Sequence, residues 1–173
     1  MEKATCRIAF TGPESSGKTT HAVWLSSFLD LPYIPEYART YLAEKSTYVQ
    51  DDLDLMAIKQ TELWPNTGFI ADTEMHVFQT WSRVKYDHVS PAIISLLNEQ
   101  QFDHYFLCAP DVPWEADTLR ENPHNRQFLF DLYLESLKQF NRNFTILTGS
   151  IENRQELIKV KVYELLNQWS DSP

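Results

Sequence analysis

Gly12-Pro13-Glu14-Ser15-Ser16-Gly17-Lys18-Thr19 fits the pattern G-x-x-x-x-G-K-[ST], a loop whose backbone N–H groups cradle phosphates. The chain has only four glycines, and two of them stand where the pattern requires them. With glycine at about 7% of residues on average, a chance match in a chain this long is roughly a one-in-a-hundred event. The flanks agree with the motif. The apolar run from Cys6 to Thr11 leads in as a strand, and Thr19 to Leu29 leads out as a helix with Ala22, Leu25 and Leu29 at helical spacing. Each part has a chemical use. The glycines let the chain curl so that successive N–H groups face phosphate oxygens, and the helix N-terminus adds partial positive charge. Lys18 is placed to reach β- and γ-phosphates, and the Thr19 hydroxyl to ligate magnesium. Gly12, Pro13, Glu14, Ser15, Ser16, Gly17, Lys18, Thr19 and Thr20 are therefore the expected ATP-binding residues.

The bulk numbers narrow the setting. A length of 173 residues is enough for one domain with a real core, and 43% hydrophobic with 13% aromatic residues marks a globular chain. The net charge of −9 argues against a nucleic-acid surface, which shows a basic stripe. It also leaves the Lys18 loop to concentrate positive potential locally. No apolar run approaches the roughly 20 residues of a membrane span, and the N-terminus lacks the layout of a signal peptide. Cys6 and Cys108 fall in expected strands and read as reduced core thiols, which points to the cytoplasm. The five histidines show no metal-ligand spacing, so no zinc site is expected.

Strand and helix signals alternate along the chain without repeat or linker. Short apolar strands are expected at 33–35, 68–72, 105–108 and 144–147. Helices are expected at 51–64, 73–86, from Pro91 to Asn98, at 126–140, and around Ile158, Val162, Leu165, Leu166 and Trp169. Five such strands imply a parallel three-layer α/β domain, in which ligands sit at the carboxyl ends of the strands. The residues after each strand therefore matter most.

Asp72 ends the third strand, where a magnesium-associated carboxylate belongs; it also suits a helix N-cap. Glu36 ends the second strand, and it and Asp72 are rivals for taking a proton from an attacking hydroxyl. Arg39 lies one helical turn beyond Glu36, placed to hold it or a substrate group. The polar stretch from Pro113 to Arg126 reads as a lid, with Arg120 and Arg126 closing over the transferring phosphoryl. Trp114 has no evident core role there and is expected to stack on a substrate ring, with Tyr37 and Tyr41 as further candidates. Trp24, Trp64, Trp81 and Trp169 lie on expected helices and read as packing. Gly149, after the last strand, lets backbone approach a flat base.

These segments resemble a known family. The phosphate loop through Thr20, then Glu36-Tyr37-Ala38-Arg39, then Pro110-Asp111-Val112-Pro113-Trp114-Glu115 with Leu119-Arg120, are similar to the ribosylnicotinamide kinase domain of the bacterial NadR proteins. The likeness covers nearly the whole chain in the expected order. It implies a three-layer P-loop kinase fold with a five-stranded parallel sheet and a lid, over residues 1–173 as a single domain. It implies phosphorylation of nicotinamide riboside by ATP with Mg2+, and a substrate site drawn from Glu36, Tyr37, Arg39, Asp72, Asp111 and Trp114. Thr118 stands where that family often has glycine before Leu-Arg. Adenylyl transfer and repression, which belong to segments ahead of the kinase in that family, are not expected of these 173 residues.

Two other readings stay open at this level. One is a kinase for another nucleoside or small hydroxylated metabolite, since pocket residues decide the acceptor. The other is a nucleotide-driven regulatory ATPase, against which the chain offers no Asn-Lys-x-Asp guanine signature and no obvious coupling subdomain. The expected partner is a small-molecule nucleoside, with neither nucleic acid nor membrane.

Overall fold

The computed structural model describes residues 6–116, 120–121 and 123–170, with side chains to residue 167. Its frame is a five-stranded parallel sheet of β1 (Arg7–Thr11), β2 (Tyr33–Ile34), β3 (Phe69–Ala71), β4 (His104–Cys108) and β5 (Phe144–Leu147). The spatial order β2-β3-β1-β4-β5 puts β1 at the centre. From β1 the chain goes to the edge strand β2, returns to β3 beside β1, then crosses to β4 and β5 on the other side, so the switch point lies at the phosphate loop.

Strand alternation distributes the core between two faces. Ile8, Phe10, Phe106 and Cys108 meet Ala22 and Leu25 of α1 (Lys18–Leu29) and Ile158 and Val162 of α7 (Ile151–Ser170). Ala9, Tyr105 and Leu107 meet Val77 of α4 (Met75–Tyr86) and Leu129, Tyr133 and Leu137 of α6 (Arg126–Gln139). A third cluster joins α2 (Tyr37–Leu42), α3 (Gln50–Glu62), α4 and α5 (Pro91–Glu99) through Leu53, Met56, Phe78, Ile93 and Leu97. Helices on both faces explain why the strands read as apolar runs rather than alternating ones.

Several boundaries differ from expectation for local reasons. Helix α4 begins at Met75, because Glu74 rather than Asp72 is its cap and accepts from His76 N at 2.8 Å. Helix α3 stops at Glu62, leaving Trp64 beyond it and stacked near Phe69. Helix α7 starts at Ile151, well ahead of its apolar stripe, with Ser150 Oγ accepting from Asn153 N at 3.2 Å. Pro91 opens α5 as expected, behind a Ser90 cap. Both cysteines are buried free thiols, and burial pushes Cys6 up to about 11 and Cys108 to about 12, which keeps them unreactive. Among the described residues no helix is long and apolar enough to cross a membrane.

Candidate active site

The phosphate loop spans the turn between β1 and α1, and its glycines are there for stated reasons. Gly12 has φ +130°, and a Cβ on it would stand 2.7 Å from the Cys108 carbonyl, so only glycine lets the loop pass this close to the end of β4. Gly17 has φ +93° and sits at the N-cap of α1 without a side-chain cap, and no acidic residue occupies the first turn. The first N–H groups of α1 are thus left for an anion. Ser15 takes φ +53°, a conformation that costs a non-glycine residue about 1 kcal/mol or more.

The loop's carbonyls are held by its own lysine and by two arginines from elsewhere in the chain. Lys18 Nζ donates to Gly12 O at 2.8 Å and Pro13 O at 2.9 Å. Arg126 Nη1 donates to Ser15 O at 3.1 Å and to Val112 O at 2.9 Å. Arg154, fully buried, donates to Ser16 O at 2.7 Å. Ser16 Oγ adds a bond to Pro13 O at 2.7 Å.

Beside the loop stand the two carboxylates. Asp72 is buried, and its Oδ2 accepts from Thr19 Oγ1 at 2.7 Å and from Tyr33 OH at 3.0 Å. Burial, reinforced by Asp72, raises the Tyr33 phenol, so it remains a hydrogen-bond donor. Glu36 lies 3.1 Å from Arg39 Nε and keeps 21% side-chain exposure. Burial pushes its pKa up, the Asp72 charge adds to this, and the Lys18 and Arg39 charges oppose it. A hydroxyl and carboxylate oxygens converging beside a phosphate loop form a hard-oxygen donor set, and that set fits magnesium.

One cavity of about 700 Å³ joins these groups. The loop lies in the middle of its floor. Glu36 and Asp72 come from the β2–β3 side, and Asp111, Gly149, Ser150 and Arg154 from the β4–β5 side. Val77, Trp81 and Val84 of α4 with Leu129 and Tyr133 of α6 supply an aliphatic and aromatic wall. Trp81 Nε1 donates to Tyr48 OH at 2.9 Å, and Lys85 Nζ lies 3.7 Å from the Tyr48 ring centre and 3.5 Å from Glu121.

Most residues expected from the sequence meet here: Gly12, Glu14 to Thr20, Glu36, Arg39, Asp72, Asp111, Arg120 and Gly149 all line the cavity. Pro13 does not line it, and its carbonyl accepts from Lys18 and Ser16. Three expectations are corrected. Trp114 does not line the cavity; Pro113 and Glu115 beside it do, while its own ring packs against Arg126 at 5.6 Å. Tyr37 does not either; its N–H donates to Gln60 Oε1 at 2.8 Å and its ring packs near Tyr41. Arg126 is spent on loop carbonyls rather than pointing at the cavity. Asp111 lines the cavity as expected and is also bonded to Arg154 and accepts from Gly149 N at 2.7 Å. Arg120 does line the cavity, donating to Ser15 Oγ at 3.3 Å and to the Glu115 carbonyl. Of the expected lid, residues 117–119 and 122 lie outside the described residues, Thr118 and Leu119 of the motif among them.

Sequence reasoning missed Trp81, Tyr133, Tyr33 and Arg154. Trp81 was findable, because Val77, Trp81 and Val84 form an i, i+4, i+7 stripe starting just after the Asp72 strand end. Arg154 stands four residues before Ile158 and eight before Val162, on the buried face of α7, but nothing in the sequence says which groups an arginine there would reach.

The model for a family described as AAA domain matches residues 7–154. The chain belongs to that AAA domain family. Among curated proteins it is similar to the trifunctional NAD biosynthesis/regulator protein NadR of Salmonella typhimurium, 26% identical over 150 residues, and to its Escherichia coli K12 counterpart at 25%. The alignments take in 79% of this chain but only 37% of those relatives' length. Among solved structures, a NadR protein in complex with NR (nicotinamide riboside) superposes with a TM-score of 0.74 at 18% identity, covering 91% of this chain and 51% of that one. Deoxyadenosine kinase from M. mycoides superposes at 0.64 with 19% identity, covering 92% and 99%. The fold of this AAA-domain chain is that of the P-loop kinases.

Proposed function

We propose that the chain, acting as a single kinase domain over residues 1–173, transfers the γ-phosphoryl group of ATP to the 5′-hydroxyl of nicotinamide riboside, giving nicotinamide mononucleotide. The observation that carries this reading is that a single cavity is lined at once by a phosphate loop, by two carboxylates and by a partly aromatic wall. A triphosphate, a hydroxyl acceptor and a flat ring each have a matching surface there. The likeness to NadR supports the choice of nicotinamide riboside.

In this reading the loop amides and Lys18 grip the β- and γ-phosphates, and Gly149 borders the adenine. Thr19, with Asp72 directly or through water, holds magnesium, which when bound neutralises charge on the phosphate oxygens. Asp72 already accepts two hydroxyls on Oδ2, so it serves the metal side. Glu36 is the general base: burial brings it closer to neutral pH, where proton transfer is most effective, and Arg39 fixes its direction. Glu36 takes the 5′-hydroxyl proton as that oxygen bonds to the γ-phosphorus and the bond to ADP breaks. Arg120 meets the charge on the transferring group, and Trp81 and Tyr133 flank the nicotinamide ring.

The test is a panel of ribosides and deoxyribonucleosides offered with magnesium and ATP, with products identified by mass. Nicotinamide riboside is expected to give the highest kcat/KM. If it proves the poorest acceptor of the panel, the acceptor assignment is wrong and a kinase for another nucleoside takes its place.

A further inference from the structure

Arg154 is the largest fully buried side chain among the described residues, at 0% exposure, and it belongs to no motif. Its guanidinium reaches four partners in three segments. Nη1 donates to Ser16 O of the phosphate loop at 2.7 Å, Nη2 to Ala109 O after β4 at 3.0 Å, and Nε to Gly149 O after β5 at 3.1 Å; Nη2 also pairs with Asp111. Asp111 in turn accepts from Gly149 N at 2.7 Å. The turn that borders one end of the cavity and the loop that floors it are thus fastened to one cation.

Two physical points give this fastening a purpose. A peptide unit is planar and trans, so its C=O and N–H point to opposite sides. Holding the Ser16 carbonyl therefore fixes the direction of the Gly17 N–H, the first amide of the uncapped α1 N-terminus. Second, a buried charge is a costly way to staple a fold, and apolar packing does that job as well or better. A cation kept here serves the loop's conformation and its positive potential.

We infer that Arg154, anchored by Asp111, is a positioning residue for the nucleotide. It sets the phosphate loop against the Gly149 turn, so that triphosphate and base are gripped in one register. The inference rests on the nucleotide half of the proposed function and not on the identity of the acceptor.

The experiment measures the Kd of a non-hydrolysable ATP analogue with magnesium, then the nucleotide and acceptor KM, for Arg154→Met, Arg154→Lys and Asp111→Asn, with circular dichroism as the folding check. Arg154→Met is expected to raise nucleotide Kd and KM about tenfold or more while acceptor KM stays unchanged, because charged hydrogen bonds to the loop are lost. Arg154→Lys, which keeps the charge but not the fork, recovers part of that loss. Asp111→Asn, at a partly exposed position, raises nucleotide Kd about threefold. A folded Arg154→Met chain with wild-type nucleotide Kd overturns the inference, as does a parallel rise in acceptor KM. If Arg154→Met fails to fold, an Asp111→Asn chain with unaltered nucleotide Kd overturns it instead. The wild-type control separates the claims: analogue binding without phosphorylation of nicotinamide riboside contradicts only the acceptor, whereas no analogue binding removes the nucleotide site and this inference together.

Discussion

Glu36 stands between the Lys18 cation and the Asp72 carboxylate, and burial outweighs the pull of Lys18, so its pKa is raised. A raised folded-state value means that the fold favours the protonated form. Glu36 therefore adds stability at low pH, and that contribution is lost as pH rises through the folded value. Glu36→Gln removes both the base and this penalty. Turnover is expected to fall by about 10²–10⁴, with a Tm advantage over wild type that is smaller at about pH 4 than at about pH 8. Parallel kinase assays and thermal melts across that range check both halves. A Tm gap that shrinks with pH would show that the sign is wrong. In the same framework, wild-type activity climbs as pH rises through the Glu36 value.

At the scale of elements, α4 is the piece whose role changes most between sequence and structure. Its Val77, Trp81 and Val84 stripe faces the cavity, while Phe78 and Met75 face the core. Periodicity showed an amphipathic helix but not which neighbour its faces would meet, so Trp81 read as packing. Trp81→Ala is expected to raise acceptor KM about tenfold, equivalent to about 1.4 kcal/mol, with nucleotide KM unchanged. Steady-state kinetics with each substrate varied in turn will show this, and equal shifts in both KM values would place Trp81 elsewhere in the reaction. The phosphate loop was legible because its chemistry dictates residue types at fixed spacing: Gly12 must pass the Cys108 carbonyl, and Lys18 and Thr19 must follow Gly17. The five strands were legible because a sheet covered on both faces must be apolar throughout. Arg126, Arg154 and Trp114 were not legible in their roles. Which carbonyl an arginine reaches, or which way a tryptophan turns in an irregular segment, depends on contacts between parts distant in sequence. Arg126 to Ser15 and Arg154 to Ser16 are separated by 111 and 138 residues.

For the whole molecule, the site is assembled from the ends of all five strands, so nucleotide binding is coupled to global stability. A ligand that binds only the folded chain stabilises it by about 2.7 kcal/mol at one hundred times its Kd. In a domain of this size that amounts to a Tm rise of roughly 5–10 °C. Magnesium with a non-hydrolysable ATP analogue is expected to give this shift, and the analogue with a chelator a smaller one. Differential scanning fluorimetry reads both, and equal shifts would exclude Thr19 and Asp72 as magnesium holders. The central claim is that the triphosphate gripped by this loop is spent on an alcohol. It is tested most directly by following ADP release and phosphorylated product from the wild-type chain with magnesium and ATP, with and without nicotinamide riboside. The account predicts one nicotinamide mononucleotide per ADP and negligible ADP release without the riboside; steady ADP release at the same rate whether or not the riboside is present would contradict it.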